Sequence, residues 1–219
     1  MLLLIIQTIC FLFLAEAPKI EDHCMKWIDD LIQQGYLKTP RIVEAFRKVH
    51  REDFVSSEQK HLAEKNIPIR IGFNQTNSQP LVVAFMLELL DPKGKVLDVG
   101  AGSGWTSVLL AHLADYVWGL ECIPELLERA KDNSQKYACN NLELICTENS
   151  LSHPPAGKVD RILVSASASK KEDLGPLFDQ LKPDGILVAP IQDSLWKFQE
   201  KKAEEHPGFL FVPLRVPIP

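Results

Sequence analysis

Three glycines at alternate positions, set just after a short apolar run, carry the first chemical signal in this chain. Val96-Leu97-Asp98-Val99 leads into Gly100-Ala101-Gly102-Ser103-Gly104. Such glycines let the backbone turn sharply and let a ligand approach the main chain with no Cβ in the way. In an open α/β sheet this turn falls at the carboxyl end of a central strand, where ligands bind. Glu121 ends the next expected strand, and an acid there accepts hydrogen bonds from both hydroxyls of a ribose. A dinucleotide loop would read G-x-G-x-x-G, yet the position of its third glycine is held by Trp105. A P-loop would need Gly-Lys-Ser/Thr, which does not follow. Asp98, two positions before Gly100, would repel phosphates and suits a ligand with a cationic amino-acid end. S-adenosyl-L-methionine (SAM), which carries an ammonium and a sulfonium, is such a ligand.

A second segment, upstream of the glycine loop, is more specific. Gly72-Phe73-Asn74-Gln75-Thr76-Asn77-Ser78-Gln79-Pro80 resembles the G-x-G-Q-T-I-S-Q-P element of the protein-L-isoaspartate O-methyltransferase family. The similarity runs from about Met25 to Leu214. It includes Gly35-Tyr36-Leu37, Phe46-Arg47-Lys48-Val49, Arg51-Glu52-Asp53-Phe54-Val55, the glycine loop, Leu181-Lys182-Pro183 and Phe211-Val212-Pro213-Leu214.

The resemblance implies methyl transfer from SAM to the free α-carboxylate of L-isoaspartyl residues in damaged peptides and proteins. The methyl ester then closes to a succinimide that reopens partly to aspartate. A carboxylate with a pKa near 4 is already ionised at neutral pH, so no general base is required. By the same resemblance Ser78 is the catalytic residue, orienting the acceptor carboxylate through its hydroxyl. Thr76, Asn77 and Gln79 line the cofactor from the same loop, with Thr76 also facing substrate. Asp98, Gly100, Gly102 and Gly104 hold the methionine end of SAM. Glu121 takes the ribose, Cys122 lies beside the adenine, and Glu148 with Asn149 stands at the adenine amino group. Ser165, Ala166 and Ser167 leave room for the isoaspartyl backbone. From local sequence alone, Ser78 also reads as a helix N-cap ahead of Pro80.

The chain departs from the family pattern at several places. Asn74 replaces a glycine, Asn77 an isoleucine, Thr147-Glu148-Asn149 a G-D-G, and Asp184 the first glycine of K-P-G-G. Asn and Asp tolerate a positive φ better than other side-chain-bearing residues, whereas Asn77 brings a polar group to an expected apolar wall. These changes keep two alternatives open: a SAM-dependent methyltransferase with another acceptor, and a SAM-binding homologue without turnover.

The elements that must position these residues follow from periodicity. Trp27, Ile28, Leu31 and Ile32 recur at helical spacing within residues 21–34, and Thr39-Pro40 opens a second helix. Arg51 to Pro68 reads as a polar loop with one helical turn near 58–63, and Ile69 to Ser78 as a short turn-rich stretch. A third helix follows from Pro80 to Leu90. Strands are then expected at 96–99, 116–120, 142–146, 160–165 and 186–191, alternating with helices at 105–114, 124–138 and 174–181. A turn is expected at Lys182–Gly185, and one or two edge strands at Phe209–Leu214. This alternation predicts an α/β sheet with helices on both faces, and the resemblance implies the three-layer Rossmann-like SAM-dependent methyltransferase fold. Its sheet is mostly parallel, and N-terminal helices precede it. Residues 21–92 form the helical and substrate-loop part, and 93–219 the SAM-binding part of one domain.

Composition agrees with a globular protein. The 219 residues are 46% hydrophobic and 24% charged, which excludes a disordered or collagen-like chain. A net charge of −5 gives no general pull toward nucleic acid or anionic membrane. The five cysteines form no C-x-x-C pair, and no histidine has a partner at metal spacing, so neither a disulfide framework nor a metal site is expected. Cys122 and Cys146 lie in apolar runs and read as small core residues. Residues 1–20 are an apolar segment that reads as a secretion signal, a membrane anchor or a start codon placed too early. The expected form is a cytoplasmic monomer, exported or membrane-tethered only if residues 1–20 direct it there.

Overall fold

The computed structural model describes residues 25–147, 151, 157–200 and 202–214. The apolar segment at 1–20, Glu148 and Asn149 lie outside the described residues. Helix α1 (Lys26–Gln33) buries Trp27, Ile28 and Leu31, and α2 (Pro40–Lys48) buries Ile42, Ala45 and Phe46. The start of α2 is satisfied from another element. Glu88 of α3 (Pro80–Leu90) accepts the Lys38 and Thr39 N–H groups at 2.7 and 2.8 Å and the Thr39 hydroxyl at 2.7 Å. Two 3-10 turns, Arg51–Phe54 and Ser57–Leu62, follow α2.

The stretch expected to be turn-rich forms an antiparallel hairpin of β1 (Ile69–Gly72) and β2 (Gln75–Asn77), with Ile69 opposite Asn77 and Arg70 opposite Thr76. Its two tip residues, Phe73 and Asn74, have φ of 53° and 59°. Left-handed backbone at both central positions is the turn whose twist matches a two-residue hairpin. Asn74 tolerates that geometry, whereas Phe73 is strained there. The Arg129 guanidinium lies 5.7 Å from the Phe73 ring centre and donates to the Ile71 carbonyl at 3.0 Å, holding the tip.

The main sheet has seven strands: β3 (Lys95–Val99), β4 (Tyr116–Glu121), β5 (Leu142–Cys146), β6 (Val159–Val164), β7 (Leu181–Ile191), β8 (Ser194–Gln199) and β9 (Lys202–Pro207). Their order is β5-β4-β3-β6-β7-β8-β9, the first five parallel and the last two antiparallel. Helices α4 (Trp105–Ala111), α5 (Pro124–Ser134) and α6 (Gly175–Gln180) connect the parallel strands. Successive strand residues face opposite sides. Val96, Val117 and Leu163 therefore join the core under the N-terminal helices and α4, while Leu97, Val99, Ile162 and Val164 join the core containing Leu174 and Leu177. Three layers result.

The structure corrects the expectations in two places near the end of the sheet. Lys182–Gly185 is not a separate turn but an irregularity inside β7: Leu181 pairs with Val159, and the next pair is Ile186 with Arg161. Phe209–Leu214 forms no edge strand. The antiparallel edge is β8 and β9, and the later segment contributes a bridge from Pro213 to Ser167. The cysteine expectation also needs correction, because Cys146 is exposed and Cys122 only half-buried. Among the described residues no helix is long and apolar enough to cross a membrane, and no group of three His, Cys, Asp or Glu side chains is placed to hold a metal.

Candidate active site

From β3 the chain winds outward through β4 to β5, then returns to the other side of β3 as β6. The connections leaving the paired carboxyl ends of β3 and β6 therefore run in opposite directions, which is where open α/β sheets bind ligands. A cleft of about 720 Å³, its mouth included, opens at this point. One wall is Gly100, Ala101 and Gly102 after β3, with Glu121 and Cys122 after β4. Gln75, Thr76 and Asn77 of the hairpin and Ser78 after it also line the cleft, and the Asn77 amide is tied to Ser103 of the glycine loop. Ser165 and Ala166 after β6, together with Val212, Pro213 and Leu214, close the end.

The glycine loop needs its glycines. Gly100 (φ 88°) and Gly102 (φ 57°) hold left-handed backbone, and a Cβ on Gly102 would stand 3.3 Å from Ile71 Cδ1. Gly104 does not line the cleft. It packs against Ala130 of α5, where a Cβ would meet that residue at 3.2 Å. Asp98 also lies beneath the cleft rather than in its wall and is fully buried. Its Oδ2 accepts the Ser107 hydroxyl at 2.6 Å, and its Oδ1 has no partner among the described residues. Burial, with the charge of Glu121 adding, raises its pKa to about 7 against the lowering effect of the Ser107 bond. A buried carboxylate oxygen without a donor beside a glycine turn fits the ammonium of SAM.

Glu121 is buried, and its carboxylate turns back onto the main chain. Oε2 accepts Gly102 N–H at 2.8 Å, and Oε1 accepts Cys122 and Ile123 N–H at 2.9 and 3.0 Å. Three of roughly four acceptor positions on the carboxylate are thus taken. Binding both ribose hydroxyls here requires exchanging at least one of these bonds. Gln79 stands outside this cleft, in a neighbouring groove with Thr76, Ser78, Ser165 and Phe211. Ser167 holds the closing segment: its N–H donates to the Val212 carbonyl, and its own carbonyl accepts the Leu214 N–H, both at 2.8 Å.

Ser78 is not the cap of α3. That place belongs to Gln79, without a side-chain bond. The Ser78 hydroxyl is therefore not consumed by capping, and Ser78 lines the cleft.

Sequence reasoning missed Arg51. This side chain, 3% exposed, donates to the carbonyls of Ala63, Lys65, Ile67, Asn77 and Ser78 and to Asn77 Oδ1, at 2.8–3.2 Å. Its guanidinium carbon also lies 5.3 Å from the Trp105 ring centre. Its signal was its place in the Arg51–Val55 segment that matches the family pattern, which gave it no role. Asn77, expected to put its amide on the cofactor wall, turns it inward instead. Oδ1 takes Arg51 Nε at 2.8 Å, and Nδ2 donates to Ser103 Oγ at 3.0 Å.

A parallel sheet with two antiparallel edge strands, and a glycine-turned cleft at its switch point, define a SAM-dependent class I methyltransferase. Residues 23–213 match the family model for protein-L-isoaspartate(D-aspartate) O-methyltransferase (PCMT), and the chain belongs to that family. A protein-L-isoaspartate O-methyltransferase of Ignicoccus hospitalis is 37% identical over 179 residues, covering 80% of this chain and 84% of its own. That of Thermococcus onnurineus is 38% identical over 213 residues, covering 89% and 96%. A Plasmodium falciparum structure described as a protein-L-isoaspartate O-methyltransferase with S-adenosyl-L-homocysteine shares the fold. It superposes with a TM-score of 0.76 over 87% of this chain and 97% of its own, at 23% identity.

Proposed function

We propose that this protein transfers a methyl group from SAM to the α-carboxylate of L-isoaspartyl residues in damaged proteins. The observation that carries this reading is that the Gly100–Gly102 turn and Ser78, whose hydroxyl is left free by the capping of α3, line one cleft. Bound in the cleft, SAM supplies an electrophilic methyl on a positively charged sulfur. The chain's own part is to hold an acceptor that is already a nucleophile. Ser78 donates its hydroxyl to one carboxylate oxygen and leaves the other to point at the donor. Holding reacting atoms about 3–3.5 Å apart and aligned is worth several powers of ten in rate. The bridge from Ser167 to Pro213 keeps the closing segment over the end of the cleft, where it excludes water from a step that neutralises charge. Asn77 supports the same acceptor rather than a different one, because its amide is spent inside the protein.

The test pairs an isoaspartyl peptide with its aspartyl twin and labelled SAM. Label on the first only is expected; equal or absent labelling of the two rejects the reading. A hydrogen bond to a charged group is worth about 1.5–3 kcal/mol. Ser78→Ala should therefore lower kcat/KM for the isoaspartyl peptide by about ten- to a hundred-fold, with SAM affinity measured by calorimetry unchanged.

A further inference from the structure

Arg51 places a full positive charge in the protein interior and, among the described residues, pairs it with no anion. None of its acceptors is a carboxylate: five are main-chain carbonyls and the sixth is the Asn77 amide oxygen. Among the described residues it enters no ion pair. Glu52 and Glu64 line a groove together with Arg51 but make no ion pair with it among the described residues. Asp53 is bound to Lys136 at 2.6 Å and to the Tyr137 hydroxyl at 2.8 Å. Burial lowers the Arg51 pKa to about 9, so the group is charged at neutral pH. Isolated charges are seldom kept inside proteins without a partner. This one touches the cleft wall at three points: the carbonyls of Asn77 and Ser78 and the ring face of Trp105.

Asn77 completes the arrangement. It occupies the one acceptor position on Arg51 that a side chain supplies, and its other end is tied to Ser103 of the glycine loop. A carboxylate in that place would satisfy the same geometry, since the Ser103 hydroxyl can donate as well as accept. It would also cancel the charge. The side chain present is the neutral isostere.

We propose that Arg51 is a positioning residue whose buried charge has the acceptor carboxylate as its counter-ion, and that Asn77 is neutral so that this charge stays available to the cleft. Arg51 acts through the Ser78 turn and not by contact. It fixes the carbonyls on either side of the Asn77–Ser78 peptide and gives the acceptor side of the cleft a positive potential. That potential selects an anionic acceptor over a neutral one. The inference rests on the methyl-transfer reading above and deepens it.

The discriminating variant is Asn77→Asp in the full-length chain, which keeps the shape and both hydrogen bonds while neutralising the Arg51 site. Three quantities are measured: steady-state transfer to the isoaspartyl peptide, SAM affinity by calorimetry, and the thermal midpoint. Loss of one unscreened unit charge beside the site should raise the peptide KM about ten-fold or more. SAM, being cationic, should bind no more weakly, and the thermal midpoint should not fall. An unchanged peptide KM would overturn the proposal. So would a parallel loss of peptide affinity, SAM affinity and thermal midpoint, which is the signature of a purely structural role. Arg51→Lys, which retains charge but not the fork, should keep more peptide affinity than Arg51→Met; if these two fail to fold, Asn77→Asp still decides. Wild-type turnover on the isoaspartyl peptide tests the parent reading separately. Peptide binding by calorimetry in the presence of S-adenosylhomocysteine gives the variant-to-wild-type ratio even without turnover.

Discussion

Asp98 shows how one buried group ties stability to pH. Its carboxyl keeps its proton to about pH 7 in the folded protein but loses it near pH 4 in the unfolded chain. Between those values the folded state binds more protons, so stability falls as pH rises, by up to about 1.4 kcal/mol per pH unit for this group. The thermal midpoint of the cofactor-free protein should therefore decline between pH 5 and 7 more steeply for wild type than for Asp98→Asn. Parallel slopes in a thermal-shift titration would count against it. The sequence marks Asp98 plainly, because an acid before a glycine turn is a local pattern. Arg51 and Asn77 are a different case. Their meaning lies in contacts with residues 63, 65, 67 and 103, and no local window contains them. Glu121 falls between: its place at the end of β4 is legible, whereas the three N–H groups that occupy it come from the turn's geometry.

At the level of elements, the hairpin from Ile69 to Asn77 is the piece that sequence describes worst and the acceptor side depends on most. Its strands are four and three residues long, too short for alternation to register, and Phe73 is an unfavourable residue for a left-handed turn. The fold imposes the turn through pairing and through Arg129. Asn74 carries the other positive φ, so Asn74→Ala should lower stability by about 1 kcal/mol, or about 2–4 °C in thermal midpoint for a chain this size. Asn74→Gly should be neutral or slightly stabilising. SAM affinity should move in neither, because the tip residues do not line the cleft. The strands β8 and β9 were hidden for another reason. The run Lys202–Pro207 is charged and exposed along most of its length, so it presents no apolar face to read. Charge on an edge also discourages pairing with a second sheet. The apolar Phe209–Leu214 run looked more strand-like, but it packs by side chains and one bridge. The inner parallel strands β3, β4 and β6 were legible because both of their faces are buried and their apolar runs are nearly continuous.

For the whole molecule, the cleft joins parts far apart in the chain: a hairpin before the sheet, three strand ends within it, and residues 212–214 after it. Ending the chain after Phe211 should leave the glycine turn and its core intact while removing the segment held by Ser167. Isoaspartyl transfer should drop at least ten-fold through the peptide KM. SAM affinity by calorimetry should change less than three-fold; an equal loss of both would show that the segment supports the sheet instead. The late position of this segment bears on synthesis. A chain growing from its amino end completes every strand of the sheet before Val212 emerges. The cofactor side of the cleft is thus made before the segment that closes its acceptor end.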